Sequence, residues 1–181
     1  MTPDDLIIAF FPCIYFCAMS QMAMYWGYTN YRKLAVREKS EAILQRVEQR
    51  EKFFSLAVKM LTIAKERGLR LIMENPWSEQ TYLKANFIMP PTLVDNDRTR
   101  RGDIYKKPTA YWYINCKPTN GHSFQEPRQR KTILASKRGA QAGICSEERS
   151  MISPDYARNF ICDFIIGKTQ QHTMPELPFE Y

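Results

Sequence analysis

The chain has no Cys-x-x-Cys pair, and neither of its two histidines stands at metal-ligand spacing from Cys13, Cys17, Cys116, Cys145 or Cys162. That argues against a zinc site, and the odd cysteine count argues against a disulfide framework. Reduced thiols in a cytoplasmic setting are the natural reading, with no metal expected. No basic residue precedes the first apolar run, so a secretory signal lacks its charged leader. Internal repeats are absent, and glycine is scarce, with seven in 181 residues.

What is present is a globular composition, 44% hydrophobic, with a net charge of +7. Residues 32–70 carry 11 basic and 5 acidic side chains, and 98–138 carry 11 and 2. Clustered positive charge points to a polyanion, nucleic acid above all, with a solvated helix face as the alternative for 32–70. Leu6 to Tyr28 is apolar enough to compete as a membrane helix followed by Arg32 and Lys33. Pro12 near its middle, Ser20 and Gln21 within it, and β-branched and aromatic residues crowded at its start favour a buried strand, a turn and a helix. No membrane association is expected.

Leu6 to Phe11 reads as a fully buried strand stopped by Pro12, and the aromatic and Met-rich stretch 14–31 reads as core or helix flank. Glu38 to Arg67 is the clearest helix, with Val47, Phe54 and Leu61 at heptad spacing, Ala57, Val58 and Ala64 widening the stripe, and Gly68 as its cap. Strand 69–73 follows at once, completing a β-α-β unit. Ser78 to Leu83 predicts a short helix broken before Pro90-Pro91. Thr92–Asp95 and Thr109–Asn115 predict strands, with a basic loop over 97–107. Residues 116–148 show no periodicity and form a basic irregular insertion. Ser153-Pro154-Asp155 starts a last helix that runs to Ile166 and ends at Gly167. The tail 169–181 is expected to fray.

Two sites stand out. Phe11-Pro12-Cys13 ends the first strand and Glu74-Asn75-Pro76 ends the second, so adjacent parallel strands deliver a thiol and a carboxyl to one sheet edge. Open α/β sheets bind ligands at that edge. Asp5-Leu6-Ile7-Ile8-Ala9-Phe10-Phe11-Pro12-Cys13-Ile14-Tyr15-Phe16 resembles the fourth motif of DNA (cytosine-5) methyltransferases. Glu74-Asn75 resembles their sixth motif, with Pro76 where an aliphatic residue is usual, as in divergent phage and prophage members. Gly102 to Trp112 and Glu148 to Pro154 also resemble that phage group, so the likeness runs from about residue 4 to residue 166.

The resemblance implies an α/β fold, a partial Rossmann-like class I methyltransferase sheet of about four to five strands with flanking helices, occupying 1–168. It implies Cys13 as the nucleophile on cytosine C6 and Glu74 as the acid or hydrogen-bond partner at N3. Pro12, Asn75, Pro76, Lys107 and Thr109 would lie at the substrate, although Asn75 reads more as a loop-ordering residue. Lys107 and Thr109 stand where the family places arginines, and Cys17 stands where it commonly has Ser. Thiolate addition at C6 turns the ring into an enamine, and a helix N-terminus after Cys13 would help by lowering the thiol pKa. Arg98, Arg100, Arg101, Arg128, Arg130, Lys131, Lys137 and Arg138 are the candidate phosphate contacts on DNA. A base inside a duplex would have to flip out.

The family's cofactor is S-adenosyl-L-methionine, held by a Gly-rich turn upstream of the Pro-Cys strand. None of the seven glycines falls in such a turn. The expectation is a C-terminal part of a longer protein, a subunit completed by a second chain, or a remnant, inactive alone and with Asp5 to Phe11 as an exposed apolar edge. The alternative is a non-catalytic DNA-binding or partner-binding module that keeps the fold.

Overall fold

The computed structural model describes residues 2–17, 29–77, 81–119, 125 and 151–167. They belong to two compact units, Met1–Asp97 with Lys106–Pro118, and Arg98–Tyr105 with Thr119–Tyr181.

The first unit is a mixed α/β layer pair. Its strands are β1 (Leu6–Phe10), β2 (Arg70–Pro76), β3 (Leu93–Asp95) and β4 (Thr109–Ile114), in the order β1-β2-β4-β3. β1 and β2 run parallel, with Phe10 beside Glu74, while β4 is antiparallel to both β2 and β3. β4 is therefore the one reversed strand among the four. Its residues Tyr111, Trp112, Tyr113 and Ile114 are β-formers buried on both faces.

The crossover from β1 to β2 is the helix α1 (Val36–Arg67), which ends as the sequence predicts. Gly68 takes a left-handed φ of 67° and its N–H reaches the Ala64 carbonyl. Ala57, Leu61 and Ala64 are buried on α1, and Ile7, Ala9, Leu71, Met73, Trp112 and Ile114 form the sheet face packed with them. Asn115, at φ 53°, donates to the Ala64 and Leu69 carbonyls at 2.7 and 3.0 Å and so fastens the end of β4 to the α1–β2 turn.

Two sequence expectations need correction in this unit. β1 is not fully buried: it is an edge strand, and on the face away from α1 Ile8 and Phe10 are 39% and 59% exposed. The short helix α2 (Thr81–Asn86) runs past the expected end at Leu83, with Tyr82 and Leu83 turned into the core, while residues 78–80 lie outside the described residues. Asn86 Nδ2 back-bonds the Tyr82 carbonyl to extend the helix.

In the second unit, α3 (Pro154–Ile161) begins as read from sequence, with Ser153 Oγ accepting the Tyr156 N–H. It does not continue as an α-helix to Ile166. It widens into a π-turn over Cys162–Ile166, with Gly167 in the left-handed cap. Thr119 donates through its hydroxyl to the Asp163 carbonyl and through its N–H to the Phe164 carbonyl, anchoring that turn. Most of 116–148 and all of the 169–181 tail lie outside the described residues. Among the described residues no helix is long and apolar enough to cross a membrane.

Candidate functional site

Pro12 breaks β1, and Cys13 opens a single 3-10 turn, Cys13–Tyr15. Packing on α1 fixes that turn. Tyr15 stacks on Phe53 with ring centroids 5.3 Å apart, Arg46 donates to the Ile14 carbonyl, and Phe16 is 2% exposed in the core. β2 continues through Glu74-Asn75-Pro76, beyond the expected end at Met73, and is fastened to the turn after β1 by buried Asn75, whose Nδ2 donates to the Phe11 carbonyl at 3.3 Å. Asn75 is thus a positioning residue, its side-chain amide committed to the protein.

Glu74, 7% exposed, lies on the sheet face away from α1, by the alternation that puts Met73 in the α1 core. It is within electrostatic reach of Cys13. Burial pushes the Cys13 thiol up, the Lys107 ammonium pulls it back, and Cys17 and the Glu74 carboxylate add to the rise. Among the described residues Cys13 is followed only by the three-residue turn, which aligns too few peptide dipoles to lower the thiol pKa. The resting thiol is protonated at neutral pH.

Lys107 is brought to the site through the end of β4. Thr109, fully buried, donates to the Lys107 carbonyl at 2.9 Å, and the Pro108 carbonyl accepts the Trp77 N–H at 2.7 Å. Thr109 therefore holds the Lys107 backbone, and Pro76 pairs with Thr109 at the sheet end. Pro12 supplies the extended residue before the turn. At the C-terminal ends of β1 and β2, Cys13 lies within electrostatic reach of Glu74 and Lys107, while Pro12, Asn75, Pro76 and Thr109 hold the adjoining backbone. Cys17, read from sequence as packing, belongs to the group as well, because its N–H closes the Cys13 turn at 3.1 Å.

The candidate phosphate contacts divide. Arg98 is 1% exposed, ion-paired with Asp103, and its guanidinium lies 4.1 Å from the Tyr156 ring centre. Arg101 pairs with Asp163 at 3.5 Å over the Phe164 ring. Arg98 is a core cation of the second unit, so its reading as a phosphate contact is withdrawn, while Arg101, its side chain 20% exposed, is tied to the buried Asp163 carboxylate. Arg100 is exposed. Arg128, Arg130, Lys131, Lys137 and Arg138 lie outside the described residues. Sequence reading missed Asp103 and Asp163, because a lone aspartate carries no signal that it will be buried.

S-adenosyl-L-methionine does not fit the described residues. A nucleotide cofactor needs glycine where backbone must approach it closely. The turns after β1 and β2 are Phe11-Pro12-Cys13 and Trp77, without glycine, and the left-handed glycines Gly68, Gly102 and Gly167 serve helix ends and a tight turn. Among the described residues no cluster of His, Cys, Asp and Glu could hold a metal ion. No protein-family model, curated protein or solved structure matches the chain.

Proposed function

We propose that this chain is the base-engaging part of a DNA (cytosine-5) methyltransferase-like protein, in which Cys13 adds to cytosine C6 and Glu74 serves N3. The observation that carries the reading is the meeting of Cys13, Glu74 and Lys107 at the ends of two adjacent parallel strands. The parallel β1–β2 pair with its helical crossover is the part of the sheet that suits a partial doubly wound fold, while the two pairings of β4 are antiparallel.

The three groups suit a closed proton circuit. The Cys13 proton passes to the Glu74 carboxylate, which removes the negative charge opposing the thiolate and leaves the Lys107 ammonium to stabilise it. Sulfur then bonds to C6, the C5=C6 electron pair shifts into the ring, and Glu74 delivers the same proton to N3. C5 becomes enamine-like and can take a proton from water. Reversal releases the original C5 hydrogen. With the cofactor not fitting the described residues, no methyl transfer is assigned to this chain alone. The outer edge of β1 is where a further segment or second chain would complete the sheet.

The test is release of tritium from [5-³H]cytosine in single-stranded and duplex DNA, with no methyl donor added. Exchange should occur with the wild type and vanish in Cys13→Ser and Glu74→Gln. Exchange that persists in Cys13→Ser would falsify the assignment. The second reading is a DNA-binding module without this chemistry, favoured by the protonated resting thiol. It predicts salt-sensitive DNA binding unchanged in both variants, with no exchange.

A further inference from the structure

Neither Cys13 nor Cys17 is in a disulfide, both are partly exposed, and they lie one turn apart. The Cys17 N–H donates to the Cys13 carbonyl at 3.1 Å, the closure of a single α-turn. Residues so related sit on one side of the chain, with Cα atoms about 6 Å apart, inside the 4.4–6.8 Å range that disulfides span. Their Cβ atoms, about 5–6 Å apart in a regular turn, must close to about 4 Å for a bridge. The turn described at Cys13–Tyr15 is three residues long, and closing the remaining distance moves few backbone atoms. A bridge made this way is strained, and strained disulfides are the readily reduced ones.

We infer that Cys13 and Cys17 form a reversible intramolecular disulfide when a low-molecular-weight disulfide is in excess, and that this removes the Cys13 nucleophile. The second clause rests on the function proposed above. One thiolate attacks the small disulfide, forming a protein–S–S–R bond and expelling RS⁻. The other protein thiolate then attacks the protein sulfur and expels the second RS⁻. The two protein thiols are oxidised, the small disulfide is reduced to two thiols, and the protons released by the protein go to the two leaving thiolates.

The full chain is incubated with oxidised glutathione, blocked with iodoacetamide and digested with trypsin. The first tryptic peptide, residues 1–32, holds Cys13 and Cys17 and no other cysteine. It should appear unalkylated and two hydrogens lighter than the dithiol, and dithiothreitol should restore it. Cys17→Ser should stop at a glutathione mixed disulfide on Cys13. Two alkyl or two glutathionyl groups on that peptide, or a bridge from Cys13 to Cys116, Cys145 or Cys162, would overturn the inference.

The mass readout needs no DNA, so the two proposals fail separately. In a protein active in C5-hydrogen exchange, closing the loop should lower exchange at least tenfold, with recovery on reduction. Undiminished exchange in the looped protein would overturn the inference. A loop that closes in a protein that never exchanges supports the disulfide and overturns the chemistry it would control.

Discussion

The Asn75 amide and the Phe11 carbonyl, 3.3 Å apart, join the last residues of β2 to the turn that ends β1. This part-buried bond, beside the β1–β2 pairing, helps to set the separation of the Pro-Cys turn from the Glu-Asn end. Asn75→Ala leaves the Phe11 acceptor without that donor and should cost about 1–2 kcal/mol in urea unfolding. Alkylation of Cys13 should accelerate at the same time as its turn loosens. Faster alkylation with unchanged stability would mean that the bond positions the loop without supporting the fold.

The direction of the Cys13 shift has a pH consequence. A thiol held above its usual value reacts with iodoacetamide only in more alkaline solution. Its peptide-resolved rate profile should therefore lie to the alkaline side of an ordinary thiol. Lys107→Gln should move the profile higher and Glu74→Gln should move it lower, following the signs of the two charges. The folded state prefers the protonated thiol, so this group's contribution to stability is present below the unfolded thiol pKa. It is lost as pH rises through that value toward the folded one.

Asp163, fully buried beside Arg101, tests the charged interior of the second unit. Asp163→Asn removes one partner of a buried pair and should destabilise the protein by about 3–5 kcal/mol, read by chemical denaturation. A loss below about 1 kcal/mol would show that Arg101 relaxes outward to water.

Gly102, at φ 86°, sits where an added Cβ would come within 2.9 Å of the Asp155 Cβ, and its carbonyl accepts the Ser153 hydroxyl. Gly102→Ala combines left-handed strain with overlap, so it should cost about 2–4 kcal/mol. The start of the segment Gly102 to Trp112 and the end of the segment Glu148 to Pro154 therefore meet through backbone packing.

Asn115 separates side-chain from backbone effects. Asn115→Gly keeps the left-handed backbone and loses the bonds to Ala64 and Leu69, while Asn115→Ala loses both advantages. The alanine variant should be the less stable of the two by about 1 kcal/mol in thermal unfolding.

Periodicity made α1 legible, and Gly68 marked its end, because both signals are local. The Ser153-Pro154-Asp155 cap of α3 was legible for the same reason. The parallel pairing of β1 with β2, and hence the approach of Cys13 to Glu74, followed from strand, helix and strand in order. The fates of Arg98 and Arg101 did not. An arginine run looks identical whether it faces solvent or meets a carboxylate, and Asp163 lies some sixty residues beyond Arg101. The thiol's protonation state was equally hidden, since burial decides it and sequence does not show how much of Cys13 the turn leaves dry. The π-turn depends on Thr119, a residue distant in sequence from Asp163 and Phe164.

The burial of Arg98 and the pairing of Arg101 change how polyanion binding should be counted. Counterions are released from DNA by cations that reach phosphate, at a slope of about 0.9 per contact in log affinity against log salt. Of the eleven bases in 98–138, Arg98 is neutralised inside the fold and releases none, and Arg101 is paired with a buried carboxylate. Removing Arg98 should lower the melting temperature and leave the salt slope of the remaining folded protein intact. Removing the exposed Arg100 should do the reverse, reducing the slope by about one if it contacts phosphate while the fold persists.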